Sequence, residues 1–268
     1  MFIGDQMKKI LTMLFFIALI VMLNGCSQKN YDALYDDYAE YLEEQQASYE
    51  YYIEFVKDLT NVTLKSVASI QSNYIYESIQ NLGSGAVIDE DETNYYILTN
   101  SHVVIYNELE ANKYIVKNYL NESVYAELLF SDQDYDLALL KVDKSVEFLP
   151  IELDTTPIDI SENLIVIGYP NGQKHAVTLG YYIDSTKITV SDETSLVNKV
   201  TFDVIVTNIP VKSGSSGSAM LNQDKKLVGL IYAGKFQTTE DVSTYSYAIP
   251  ASKILEFLNE NGYGGLNI

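Results

Sequence analysis

From Asn61 onward the chain alternates short apolar, β-branched and aromatic runs with clusters of turn residues. The first runs are Ser66–Gln71, Ala86–Asp89, Tyr95–Leu98, Tyr114–Tyr119, Tyr125–Phe130 and Leu137–Val142. After a polar stretch near 154–162 come Leu164–Gly168, Ala176–Tyr182, Lys187–Val190, Val200–Thr207, Leu227–Ala233 and Thr244–Ile249. Runs this short, this regularly spaced and bounded by Gly, Asn, Asp, Ser and Pro predict an all-β architecture. Two sets of similar size, each able to form a sandwich or a barrel, predict two barrels or lobes, about 61–148 and 158–250. Beyond Pro250 the amphipathic stretch 251–262, stopped at Gly262, predicts a closing helix.

The N-terminal pattern is different. Lys8 and Lys9 precede an almost unbroken apolar run from Ile10 to Leu23. A membrane span needs about 20 such residues, whereas a signal-peptide core needs fewer, so 1–25 reads as a signal peptide. The run ends in Leu23-Asn24-Gly25-Cys26, which resembles the lipobox of bacterial lipoproteins, with Asn24 departing from the usual small residue. That resemblance implies cleavage after Gly25, lipid on Cys26, and an extracytoplasmic chain anchored to a membrane. Tyr31 to Leu59 contains neither Gly nor Pro, and Leu34, Tyr38, Tyr41, Tyr49, Tyr52, Val56 and Leu59 recur at three- or four-residue steps. This predicts a helix within a tether, 26–60. It reads either as a solvated spacer or as a surface for homo-oligomerisation.

Composition narrows the partners. The formal charge is −20, and all 17 basic residues are lysine. Nucleic-acid binding rests on neutralising phosphates, so this balance argues against it. Cys26 is the single cysteine, which excludes an intrachain disulfide and a cysteine-ligated zinc. No metal and no cofactor are expected.

Three residues carry the candidate chemistry. His102 follows the run Tyr95–Leu98 in a small polar turn, Asp136 heads the apolar run Leu137–Val142, and Ser216 lies in Gly214-Ser215-Ser216-Gly217. Singly, each reads as a structural residue of a turn or strand end. Together they stand in the order His, Asp, Ser in an all-β chain, which is the order of the chymotrypsin-type triad. The other histidine, His175, reads as a surface residue.

The surrounding motifs resemble the HtrA/Deg branch of the trypsin-like serine proteases over about residues 62–260. They include Gly83-Ser84-Gly85-Ala86-Val87-Ile88 before the histidine, Gly168-Tyr169-Pro170-Asn171-Gly172, Val228-Gly229-Leu230 and Tyr247-Ala248-Ile249-Pro250. The resemblance implies a domain over 61–268 made of two six-stranded β-barrels, flanked by the N-terminal and C-terminal helices. It implies a serine endopeptidase acting on protein or peptide substrates, with His102, Asp136 and Ser216 catalytic. It further implies an oxyanion hole from the N–H groups of Gly214 and Ser216. Pro210, Ile231, Ala233 and Gly234 fall where that family binds substrate, and their apolar character implies small or medium aliphatic P1 side chains. Ser215, Ser218 and Ala219 replace the more usual Asn, Gly and Pro, and the expected PDZ module has no counterpart after Pro250. A second reading, consistent with those departures, is a protease fold kept as a binding module that cleaves little.

Overall fold

The computed structural model describes residues 63–74, 79–172, 175–188, 200–236 and 242–265, with helical positions at 43, 50, 53–55 and 57–59. The signal segment, Cys26 and most of the expected helix 31–59 lie outside the described residues. Among the described residues no helix is long and apolar enough to cross a membrane. The chain divides into two compact units, Met1–Val56 and Lys57–Ile268. The second contains the fold described below.

The first barrel is built from β1 (Val67–Tyr74), β2 (Ile79–Glu90) and β3 (Asn94–Thr99), then β6 (Lys113–Lys117), β7 (Ser123–Asp132) and β8 (Leu137–Asp143). They close in the order β1-β2-β3-β8-β7-β6. A small hairpin, β4 (Ile105–Tyr106) with β5 (Leu109–Glu110), stands apart from it. Alternate residues of the barrel strands point inward, among them Ile70, Val87, Ile97, Val116, Leu140 and Val142. The register pairs Leu98 with Leu139 and Ile97 with Leu140, so the strand leading to His102 lies beside the strand leading from Asp136.

The second barrel closes in the order β10-β11-β14-β13-β12-β9. Its strands are β9 (Asn163–Gly168), β10 (Ala176–Thr186), β11 (Val204–Thr207), β12 (Ala219–Leu221), β13 (Leu227–Phe236) and β14 (Ser243–Pro250). Leu164, Val166, Ile205, Met220, Val228 and Ala248 fill it. A helix over Ala251–Glu260 follows, burying Ala251, Ile254, Phe257 and Leu258 on one stripe. We call it α2; α1 is the single turn Ser101–Val104.

Two expectations are corrected. No separate strand forms at the described residues Lys187 and Ile188; β10 instead runs unbroken to Thr186, and positions 189–190 lie outside the described residues. The sixth strand is β12, which falls between the expected runs Val200–Thr207 and Leu227–Ala233. Its three residues are too few to show a period, yet all are buried and paired with β9 on one side and β13 on the other. Burial between two partners makes this segment a strand, not local propensity.

Candidate active site

His102 and Asp136 come from the first barrel, His102 on α1 just after β3 and Asp136 in the turn entering β8. Asp136 is fully buried. A carboxylate removed from water must be met by donors. One carboxylate oxygen, Oδ1, accepts the His102 backbone N–H at 3.0 Å, and Oδ2 lies 2.6 Å from His102 Nδ1. Beside an ionised carboxylate Nδ1 is the donor, which leaves Nε2 free to accept a proton. Asp136 also has φ of 51°, in the left-handed region that residues with side chains seldom adopt. Its carbonyl accepts from the Ser101 N–H and the Asn100 side-chain amide, both at 3.1 Å, so α1 secures the turn as well as the carboxylate.

Ser216 comes from the second barrel, in the turn just before β12. Gly217 there has φ of 84°, and a Cβ on it would sit 1.9 Å from the Ser84 carbonyl oxygen, so no other residue fits. The two barrels meet at Gly83 of β2. A Cβ there would lie 2.6 Å from the side chain of Val103, the neighbour of His102, and 3.2 Å from the Ser216 carbonyl oxygen. Thus the histidine turn and the serine turn close on one glycine. Among the described residues no hydrogen bond joins Ser216 Oγ to the His102 ring. Such contacts are often long without substrate and tighten in the complex.

The backbone of the serine turn is pinned at several carbonyls. The Ser213 carbonyl accepts the Asn171 N–H at 2.9 Å, and the Ser215 carbonyl accepts the Ser218 N–H at 2.9 Å. Ser215 N–H donates to the Lys212 carbonyl at 3.0 Å, and Gly217 N–H donates to the Ile231 carbonyl at 2.8 Å. Among the described residues the N–H groups of Gly214 and Ser216 donate to nothing. Ser84 reaches into this turn from the first barrel. Its Oγ donates to the Gly214 carbonyl at 3.1 Å and accepts the Tyr169 N–H at 2.8 Å, and its N–H donates to the Ser216 carbonyl at 2.7 Å.

Around the turn, Pro210, Ala233 and Gly234 are half-buried. Ile231 contributes its backbone to the site, while its side chain belongs to the core of the second barrel. A Cβ on Gly234 would come within 3.0 Å of Phe236, Ser243 and Val211, so this stretch stays open only because it is glycine. Thr207 and Ser246, both fully buried, share a hydrogen bond of 2.7 Å behind it. His175 is exposed, its ring edge-on to Tyr169. A separate depression of about 850 Å³ lies between 154–158 and the start of α2, and neither His102, Asp136 nor Ser216 lines it.

Three contributors were not singled out from sequence. Ser84 and Asn171 lie inside motifs whose glycines drew the attention. Tyr232 is fully buried on β13; burial pushes its phenol up, and the nearby negative charge of Asp136 adds to that shift. Nothing local in the sequence marks any of these, because Ser84 and Tyr232 meet partners from the other barrel and Asn171 meets Ser213, far along the chain in its own barrel.

Residues 83–230 match the family described as Trypsin-like peptidase domain. A probable periplasmic serine endoprotease DegP-like from Pseudomonas fulva is 32% identical over 187 residues, covering 68% of this chain and 35% of the relative. The serine protease Do-like HtrA of Bacillus subtilis is 31% identical over 209 residues, covering 75% of this chain and 45% of the relative. The chain thus spans between about a third and a half of the length of these curated relatives. Among solved structures, the HtrA-type protease AlgW with tripeptide superposes with a TM-score of 0.61 at 24% identity, covering 78% of this chain and 64% of that one. The Rv3671c protease of M. tuberculosis in its active form gives 0.62 at 20% identity, covering 79% and 88%. At these identities the structural likeness speaks to the fold, which is the chymotrypsin-like pair of barrels.

Proposed function

This chain belongs to the trypsin-like peptidase domain family, in its HtrA-like branch, and on that premise we propose that it is a serine endopeptidase whose triad is His102, Asp136 and Ser216. The observation that carries this reading is the 2.6 Å contact between His102 Nδ1 and the buried Asp136 carboxylate, beside a serine turn with two unengaged N–H groups. Asp136 holds the imidazole so that Nε2 takes the proton of Ser216 Oγ as that oxygen attacks a peptide carbonyl. The same nitrogen returns the proton to the departing amine, and water repeats the cycle on the acyl-enzyme. The N–H groups of Gly214 and Ser216 receive the oxyanion, each such donor lowering the barrier by about 2.7–4 kcal/mol. No step calls for a metal or a cofactor.

Substrates in this proposal are exposed protein or peptide segments outside the cytoplasm. Pro210, Ala233 and Gly234 border the P1 pocket, and their apolar surface suits a small or medium aliphatic side chain. Lipid on Cys26 holds the enzyme at a membrane, and the segment 31–59 serves as its tether and as the candidate surface for self-association.

A fluorophosphonate probe tests the activity directly. The expected result is covalent labelling at Ser216 that both Ser216→Ala and His102→Ala abolish. Absence of labelling in the wild-type chain, with or without added peptides, would instead mark a protease fold kept for binding.

A further inference from the structure

The three peptide planes of the serine turn are held in different ways. A trans peptide points its N–H opposite to its C=O, so pinning a carbonyl aims the N–H on the other side of that plane. The plane carrying the Gly214 N–H is pinned through the Ser213 carbonyl by Asn171, and the plane carrying the Ser216 N–H is pinned through the Ser215 carbonyl by Ser218. Both pins are backbone N–H groups. Between these planes lies the Gly214–Ser215 peptide, which sets the angle between the two oxyanion donors. Gly214 has φ of 80° and no side chain to restrain the rotation of that middle plane. That middle plane is held at both ends: its N–H, that of Ser215, donates to the Lys212 carbonyl at 3.0 Å, and its carbonyl, that of Gly214, accepts the hydroxyl of Ser84.

From this arrangement we infer that Ser84 is a positioning residue for the oxyanion hole, an inference that rests on the site reading above. Its chemistry suits the task. A serine hydroxyl has one proton to give. Because the Tyr169 N–H already donates to Ser84 Oγ at 2.8 Å, that proton is directed to the Gly214 carbonyl, which can only accept. The Ser84 main chain fixes the same turn at a second point, through its N–H on the Ser216 carbonyl. Its own carbonyl is fixed by the Thr99 hydroxyl at 2.7 Å, three residues before His102. Ser84 is fully buried, so water cannot replace its hydroxyl. The first barrel therefore supplies the histidine, the aspartate and also the side chain that orients the second barrel's donors.

The role separates from simple packing by what it changes. An oxyanion hole acts on the transition state more than on the bound substrate, so the loss falls on kcat. In the full-length chain assayed with a chromogenic peptide, Ser84→Ala is expected to lower kcat about 10- to 100-fold with KM within about twofold. A peptide boronate, whose tetrahedral adduct places an oxygen among the same donors, is expected to bind more weakly by the factor lost in kcat/KM. Thermal unfolding, followed in parallel, establishes that the variant is folded at the assay temperature. Should Ser84→Ala not fold, Ser84→Cys fills the same space with a weak donor, and the same split between kcat and KM is expected. Wild-type kcat in a folded variant, or unchanged boronate affinity, overturns the inference. If the wild-type chain itself neither hydrolyses peptides nor labels, the site reading fails, whereas an active wild type matched by Ser84→Ala refutes the role of Ser84 alone.

Discussion

Asp136 meets two demands at once. It is fully buried in an unfavourable backbone conformation, and both its carboxylate and its carbonyl are satisfied from the α1 turn that carries His102. The costs of burial and strain are thus offset by the residues it serves, which is how strained positions persist at working sites. Asp136→Asn keeps the size but puts an N–H₂ where one acceptor stood, which reverses the tautomer of His102. The expected outcome is a folded protein whose kcat falls on the order of 10⁴-fold, read from peptide hydrolysis alongside its melting curve. Activity within tenfold of wild type would remove Asp136 from the triad. At this scale the order of His102, Asp136 and Ser216 and the turns around them, on which the proposed triad rests, were legible in the sequence. Ser84 and Tyr232 were not, because one is a small residue between two glycines and the other an aromatic in a core strand.

The hairpin between β2 and β3 leads directly into the histidine turn. Asp91 closes it, accepting the N–H groups of Thr93 and Asn94 at 2.7 Å each and the Tyr96 hydroxyl at 2.7 Å. The Thr93 N–H first, then the Tyr96 hydroxyl and the Asn94 side chain, hold the Asp91 carboxyl well below the usual carboxylate range. A carboxyl depressed in the folded state adds stability above its unfolded value, about 3.9, and loses that contribution as pH falls through the folded value. Asp91→Asn is therefore expected to lower the melting temperature at about pH 7, with the gap to wild type narrowing below about pH 4. A gap of constant size across that range would contradict the assignment. Strands that read as near-continuous apolar runs, such as Leu137–Val142, were readable from the chain, and α2 matched its expected start and stopped two residues early. A three-residue strand such as β12 was not readable, since only its neighbours on both sides make it a strand.

Across the whole second unit the site lies on the seam of the barrels, and the seam is polar as well as apolar. Ser84 and Ser69 of the first barrel bond the turns of the second, the latter through the Gly172 carbonyl at 3.4 Å. Farther from the site, Phe257 of α2 packs on Phe130 and Tyr135 of the first barrel, and the Tyr135 hydroxyl bonds Glu256 at 2.7 Å. The closing helix of one barrel thus buttresses the loop that presents Asp136 in the other. At this scale the proposed lipid also has its test. A diacylglycerol on Cys26 brings the membrane affinity of two acyl chains, at about 0.8 kcal/mol per buried methylene. The mature wild-type chain is expected in the membrane fraction with a lipid-sized mass increment on Cys26, and Cys26→Ser is expected to release an active protein. An unmodified Cys26 in a membrane-bound chain would refute the anchor.

Taken by itself, the sequence determined the fold class, the two sets of strands, the closing helix and the order of the three candidate residues. It did so because apolar β-branched runs, turn residues and motif order are local properties written into consecutive positions. Only the tertiary structure decided that Asp136 Oδ2 meets His102 Nδ1 and that β12 completes its barrel. The tertiary structure also revealed Ser84 beneath the Gly214 carbonyl, 130 positions away in the chain. These are contacts between segments far apart in sequence, fixed by barrel closure and by the register of strands that no single stretch of residues encodes.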